Sequence, residues 1–158
     1  MKDIEFVESG RGEKKDVMIQ SRAWARDSLD VMSDEIEWTN HGTLSRNGGA
    51  WCLEYRENIS EDPKDPTMTD VKIQVRGTSV LVTRSGSFGM TMYLNQGHVY
   101  EGTYVTPFGE MKYHVQCLKA EVDLSEEAGS LDLSFVLEIL GGGDTTTRYM
   151  KMKYWAVK

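Results

Sequence analysis

The most constraining feature of the sequence is an alternation of apolar and polar residues between Gly129 and Leu140. The apolar residues of this alternation are Leu131, Leu133, Phe135, Leu137 and Ile139. Successive side chains of an extended backbone point to opposite faces of a sheet, so a period of two predicts a β-strand with one buried face. Turns rich in acids and glycine precede and follow this strand, at residues 123–129 and 141–144. We therefore expect an antiparallel neighbour on each side of it.

Similar alternation recurs along the rest of the chain. It predicts strands at residues 17–26, 36–46, 51–57, 70–76, 80–84, 90–94, 98–106, 111–124 and 145–157. In the long segment 111–124 the apolar parity changes between Cys117 and Leu118, which predicts a β-bulge or a sharp bend. No helical period and no internal repeat is visible. Many short strands joined by tight turns predict an all-β fold, an antiparallel up-and-down barrel of about eight to ten strands.

The domain organisation follows from length and local composition. Residues 1–15 end in the polar, glycine-rich sequence S-G-R-G-E-K-K, and we expect a flexible N-terminal arm there. Residues 16–158 are expected to form a single barrel domain, since a chain of 158 residues has the size of one domain. The longest predicted loop within that domain spans residues 58–67 and contains Pro63 and Pro66.

Charge and composition exclude several classes of partner. A net charge of -7 opposes binding to a phosphate backbone, so we expect no nucleic-acid partner. No apolar run approaches the roughly 20 residues that span a bilayer, so we expect no membrane insertion. Acids near the start oppose a secretory signal and indicate a cytoplasmic location. Cys52 and Cys117 have no paired spacing and are expected to be reduced and partly buried. The oligomeric state is left open.

No constellation of residues predicts catalysis. Ser85 lacks a Gly-x-Ser-x-Gly elbow, and the three histidines, His41, His98 and His114, have no metal-ligand spacing. The glycine run at 141–143 is followed by neither Lys-Ser/Thr nor a helical pattern, which argues against a phosphate-binding loop. We therefore expect no enzyme activity, no cofactor and no metal.

Four spaced motifs carry a resemblance to a known family. They are V-T-R-S-G at 82–86, M-T-M at 90–92, T-Y-V-T-P-F-G at 103–109 and E-V-D-L-S-E-E-A-G-S-L-D-L at 121–133. From about Val17 to the C-terminus the chain resembles the YwiB-like family, a bacterial family of unknown function. The resemblance implies a calycin-like β-barrel, the architecture of lipocalins and fatty-acid-binding proteins, in a bacterial cytoplasm. It implies no activity or substrate.

The sequence also departs from the calycins whose ligands are known. It has no Gly-x-Trp at the start of the first strand, as lipocalins have. In the last strand Arg148-Tyr149 stands in place of the Arg-x-Tyr pair that holds a carboxylate in fatty-acid binders. No ligand is therefore carried over from either group.

The candidate ligand-binding residues are large side chains on the expected inner face, together with one inward charge. They are Trp38, Trp51, Tyr55, Arg84, Met92, Tyr113 and Met152. Aromatic and methionine side chains can line an adaptable pocket, but they can equally fill a barrel of this size. The face of the first strand that carries Ser21, Ala23 and Ala25 has small side chains, and it leaves space if it points inward.

Arg84 shares the parity of Val80 and Val82, so we expect it to point toward the core. An unpaired charge is too costly to bury, so Arg84 must have a partner. That partner is either the anionic head group of a ligand or a structural carboxylate or carbonyl, and the sequence leaves both open.

Two functional hypotheses remain. In the first, the barrel is a binding module for a small apolar or amphipathic molecule. In the second, the barrel is filled and acts as an interaction or regulatory protein through its outer surface, with the acidic loops and the strand around Tyr100 to Tyr104 as contacts. The enclosed volume separates them, because a filled interior leaves no room for a ligand.

Overall fold

The computed structural model describes residues 13–58, 68–86, 89–141 and 145–157. The strands are β1 (Lys15–Arg26), β2 (Ile36–Asn47), β3 (Ala50–Asn58), β4 (Met68–Arg76), β5 (Ser79–Gly86), β6 (Met90–Leu94), β7 (Val99–Thr106), β8 (Gly109–Leu124), β9 (Ala128–Ile139) and β10 (Thr145–Ala156). In the described ranges there is no helix long and apolar enough to cross a bilayer. Most of the predicted arm and most of the proline-containing loop, residues 1–12 and 59–67, lie outside the described residues.

The strands form one antiparallel sheet with the order β6-β5-β4-β3-β2-β1-β10-β9-β8-β7. In the part of the chain that the structure describes, each strand pairs with the next one along the chain except β6 with β7, and β1 also pairs with β10. The outermost strands of this order, β6 and β7, meet at Gly89 and Val105, whose amides donate to each other's carbonyls at 3.1 and 3.0 Å. The sheet therefore curls into a nearly closed up-and-down barrel, as the alternation and turns predicted.

The seam between β6 and β7 is held differently from the other strand pairs. Apart from the Gly89–Val105 bridge, the described residues form no ladder between these two strands. On the inside of the seam, the Tyr113 hydroxyl donates to the carbonyl of Thr91. The Tyr113 ring lies against Gly102, where an added Cβ would be 2.5 Å from the Tyr113 oxygen. A tyrosine from β8 therefore reaches past β7 and ties the seam to β6.

The inner face of the barrel carries the predicted apolar residues. In β9, Leu131, Leu133, Phe135 and Leu137 are all buried. The parity change in β8 is confirmed as an irregularity of the β8–β9 pairing between Cys117 and Lys119. We predicted that Leu118 would share the inward parity of the later residues, which is wrong. Leu118 is the extra residue of the bulge and is 43% exposed.

Both cysteines are buried and neither forms a disulfide. Cys117 belongs to the barrel core, and burial raises the pKa of its thiol. Cys52 has the opposite parity to inward Leu53 and so lies on the outer face of the sheet, where it pairs with Ser45 and Gln74. Those two neighbours are themselves 5% and 7% exposed, so this part of the outer face is also covered.

Candidate functional site

A cavity of about 530 Å³ lies at one end of the barrel. Strands run alternately up and down, so the C-terminal ends of β1, β3, β5, β7 and β9 meet the N-terminal ends of β2, β4, β6, β8 and β10 there. Its lining consists of Ala23, Trp24, Ala25, Ser33, Ile36, Trp38, Thr69, Arg84, Met90, Met92, Tyr104, Met111, Phe135, Leu137, Ile139, Arg148, Tyr149 and Met150. We call this the open end.

The space at the open end lies beside the small residues of β1. Ala23 pairs with Met150 on one side and with Ile36 on the other, and Ala25 pairs with Arg148. A methyl group cannot reach across a barrel, so the volume next to these alanines stays unfilled. The small-residue face of the first strand therefore points inward, which is the condition under which its sequence leaves space.

The deeper wall of the cavity is apolar. Met92, Phe135, Leu137 and Met150 are between 3% and 8% exposed, and each contributes to the lining. At the rim Met111 is 41% exposed. Methionine side chains are flexible and polarizable, so a wall of this kind can adapt its shape to an apolar guest.

Arg84 forms an ion pair with Glu57, in which its Nη1 donates to Oε1 of the carboxylate. The side chains of Arg84 and Glu57 are 22% and 7% exposed, so the acid is enclosed while the base keeps some contact with solvent. The structure thus supplies the carboxylate partner that the inward charge required. Sequence reasoning missed Glu57, although its parity with Leu53 and Tyr55 was a signal that it points inward.

Arg148 is a second guanidinium on the cavity wall, and it enters from the opposite side of the barrel. Its Nε donates to Oγ1 of Thr146 at 3.2 Å. No carboxylate of the described residues forms an ion pair with Arg148. The surrounding protein desolvates the group and lowers the pKa of Arg148, an effect that the Tyr104 phenol opposes and the Arg84 charge reinforces.

Arg148 could have been found from the sequence by register. It shares the parity of Met150 and Met152, which the alternation had already placed on one side of the last strand. We considered it only as part of an Arg-Tyr motif and so left it out of the predicted site. In the structure Tyr149 points the other way and stacks on Trp24, with ring centroids 5.4 Å apart.

Thr69 adds an uncommitted polar group to the wall. It lies between Glu57 of β3 and Gly86 of β5, and the residue is 2% exposed. Among the residues that the structure describes, its hydroxyl has no hydrogen-bond partner. A buried hydroxyl without a partner is unfavourable, so this position has a capacity for hydrogen bonding that the protein itself does not use.

Three of the predicted ligand-binding residues are brought together. Trp38, Arg84 and Met92 all line the cavity at the open end. They come from β2, β5 and β6, so only closure of the sheet places them around one space.

The other four predicted residues lie away from the cavity lining. Tyr55, Tyr113 and Met152 point inward but belong to the filled core, at 5%, 0% and 3% exposed. Burial raises the pKa of Tyr55 and raises that of Tyr113 to about 12. Trp51 lies near the β2–β3 turn at the far end of the barrel, where the Arg46 guanidinium stands 4.7 Å from the centre of its ring. Parity identified inward residues correctly but could not tell which end of the barrel was hollow.

The contacts suggested for the outer-surface hypothesis are also placed differently. Tyr100 packs against the core with its ring centroid 6.4 Å from that of Tyr113, and Tyr104 lines the cavity. The strand around Tyr100 to Tyr104 therefore turns both of its tyrosines inward, and the contact that the outer-surface hypothesis gives to this strand stays a prediction.

The remaining candidate groups do not assemble into a chemical centre. Within the described part of the chain, no group of three or more His, Cys, Asp or Glu side chains is arranged to hold a metal ion. His114 lies on the outer face, 3.5 Å from Glu101 and 3.7 Å from Glu138. Ser85 is exposed near the end of β5.

Comparison with known proteins gives a family and a fold. The barrel is similar to the crystal structure of the ywiB protein from Bacillus subtilis, with a TM-score of 0.77 and 19% sequence identity over 92% of this chain and 94% of that chain. At this identity the likeness shows the fold alone. A search of the curated proteins finds no match. The family model described as "Domain of unknown function (DUF1934)" matches residues 23–151, which include all or part of every strand. The resemblance to YwiB-like proteins is thereby confirmed, and the chain belongs to the DUF1934 family.

Proposed function

We propose that the barrel binds one small amphipathic molecule in the cavity at its open end. The observation that carries this proposal is the cavity of about 530 Å³, whose wall combines apolar side chains with Arg84 and Arg148. Small-molecule sites in proteins typically enclose about 300–1,000 Å³ and are mostly apolar, with a few polar groups that orient the ligand. Both the volume and the lining of this cavity have that character.

An apolar tail supplies most of the affinity in this proposal. Seated against Met92, Phe135 and Met150, the tail leaves water and gains about 25 cal/mol per Å² of buried apolar area. Part of that gain offsets the lost freedom of the ligand. The polar groups at the mouth then select the head of the molecule.

The outer-surface alternative is less well supported. It assumed a filled barrel, and the open end is hollow. It also gave the strand around Tyr100 to Tyr104 as a contact, and the two tyrosines of that strand point inward. We therefore retain ligand binding as the primary function.

The proposal also covers compartment and chemistry. Following the family resemblance, we place this calycin-like binding protein in a bacterial cytoplasm. The proposal includes neither a catalytic step nor a nucleic-acid partner, since the net charge of -7 opposes binding to phosphate chains.

A cavity-filling variant tests the proposed site. Ala23→Leu places a larger apolar side chain in unfilled space, so we expect stability to be kept and affinity for a single-chain amphiphile such as decanoate to fall about 10-fold or more. Isothermal titration calorimetry of wild type should give one site per chain. The matched control is Ala128→Leu, which is exposed on β9 away from the cavity. Equal affinity in Ala23→Leu and wild type, or no binding by wild type, would overturn the proposal.

A further inference from the structure

We propose that the ligand is a single-chain amphipathic anion whose head group is received by Arg148 and Thr69, rather than by Arg84. This inference rests on the proposed binding function and specifies its ligand class. It follows from the unequal availability of the polar groups around the cavity.

Arg84 is already committed within the protein. Its guanidinium is paired with Glu57, whose side chain is only 7% exposed. The two charges compensate each other, so an approaching anion meets a nearly neutral pair. Taking Arg84 away from Glu57 would also leave an enclosed carboxylate without its counter-ion, which is strongly unfavourable.

Arg148 is available by comparison. Its Nε donates a hydrogen bond to the neutral hydroxyl of Thr146 at 3.2 Å. Arg148 is exposed at the mouth of the barrel, in front of the apolar wall formed by Phe135 and Met150. A guanidinium offers several donors in a planar fork that suits a carboxylate or phosphate, so this cation can receive a head group while the tail lies deeper.

The two arginines also affect each other. Arg84 and Arg148 approach from opposite walls, and the charge of Arg84 contributes to the lowered pKa of Arg148. A negative charge at the mouth would offset this repulsion and raise the pKa of Arg148 again.

Thr69 supplies an independent indication of a ligand. Its hydroxyl has no partner within the described ranges although the residue is 2% exposed, and the residue belongs to the cavity wall. A head-group oxygen could accept a hydrogen bond from it. Arg148 on β10 and Thr69 on β4 both line the cavity together with its apolar side chains, and a cation with an unused hydroxyl in such a cavity fits an acidic head on an apolar chain.

The test compares ligands that share a tail and differ in the head. Decanoate, decyl phosphate and 1-decanol are titrated into the intact wild-type protein by calorimetry. We expect either anion to bind about 10-fold to 100-fold more tightly than the alcohol, the range for a hydrogen bond to a charged group. The anion that binds with the higher affinity then identifies the preferred head group as carboxylate or phosphate.

Variants assign the preference to Arg148. Arg148→Met removes the charge and keeps most of the length of the side chain. The variant should therefore bind decanoate no more tightly than it binds 1-decanol. Arg56→Met is the matched control, because Arg56 lies on the outer face in an exposed ion pair with Asp70, and it should leave the preference unchanged. Arg148→Lys, which keeps the charge, should retain part of the preference.

The outcomes separate this inference from the function on which it rests. Equal binding of decanol and both anions by wild type would overturn the inference and leave the binding function standing. An anion preference that survives in Arg148→Met would overturn the role of Arg148. Failure of all three ligands to bind would overturn both proposals.

Discussion

The two ends of the barrel are made from the same ten strands but are packed in opposite ways. At the end where β9 begins, which we call the closed end, the ring of Tyr154 lies directly on Gly129. A Cβ on that glycine would clash with the ring. At the open end Ala23 and Ala25 line a cavity of about 530 Å³. Small residues produce a solid core where a large side chain covers them and a hollow one where none does.

The polar groups at the two ends differ in the same way. The Tyr154 hydroxyl donates to the Ser125 carbonyl at 2.6 Å and accepts from the Ser125 amide at 3.1 Å, so it is satisfied within the protein. At the open end, and among the described residues, the Thr69 hydroxyl has no hydrogen-bond partner and Arg148 forms no ion pair with a carboxylate. The polar groups at the closed end are satisfied within the protein, whereas those at the open end are left available, which costs some stability.

The largest expected effect is at the closed end. Tyr154→Ala removes a side chain from a residue that is 1% exposed, so we expect the free energy of unfolding to fall by about 3–5 kcal/mol. Urea denaturation followed by circular dichroism measures this loss. The control is Trp155→Ala, which alters the neighbouring residue on the outer face, 41% exposed, and should cost about 1 kcal/mol or less. Similar losses in the two variants would mean that the closed end is not tightly packed.

A smaller effect is expected from breaking the ion pair near the open end. Glu57→Gln leaves Arg84 without its counter-ion, and we expect a loss of about 2–3 kcal/mol in the free energy of unfolding. This is at or below the lower end of the range for buried pairs because the Arg84 side chain is 22% exposed and water can reach it.

The double variant Glu57→Gln/Arg84→Met supplies the control for the ion pair. It removes both charges, so it should recover to within about 1 kcal/mol of wild type in the same denaturation experiment. A double variant as unstable as Glu57→Gln would show that packing, rather than an unpaired Arg84, causes the loss.

The smallest effect concerns the hydrogen bond by which Tyr113 crosses the seam between β6 and β7. Tyr113→Phe loses the hydrogen bond to the Thr91 carbonyl, and we expect a loss of about 1 kcal/mol at neutral pH. The stability lost in Tyr113→Phe should become smaller as the pH is raised into the alkaline range. Burial raises the pKa of Tyr113 from 10.0 to about 12, so the unfolded wild type ionises first. The contribution of Tyr113 to the free energy of unfolding is therefore fully present below pH 10.0 and declines as the pH rises toward about 12.

The pH dependence is measured as the difference between the two proteins. Tyr55 and Tyr154, whose pKa values are also raised by burial, are present in both and cancel. Urea denaturation at a series of pH values gives the difference directly. A difference that stays constant through the alkaline range would argue against a buried phenol at position 113.

The sequence by itself determined the strands, their antiparallel order and the direction in which most side chains point. These properties depend on local rules, because a period of two assigns each residue to one face and glycine-rich turns join neighbouring strands. The small face of β1 and the inward charge of Arg84 were both predicted in this way. Leu118 was misplaced because alternation locates a bulge only to within one residue.

Only the tertiary structure decided which part of the interior is hollow and which polar groups are already paired. The ion pair of Arg84 with Glu57 joins residues on β5 and β3. The electrostatic effect of Arg84 on Arg148 acts between opposite walls of the barrel. These distances depend on barrel closure and on the volume of side chains that are remote in sequence. Parity assigns Trp51 and Trp38 to the same inner face, but only the closed barrel places Trp38 beside the cavity and Trp51 at the far end.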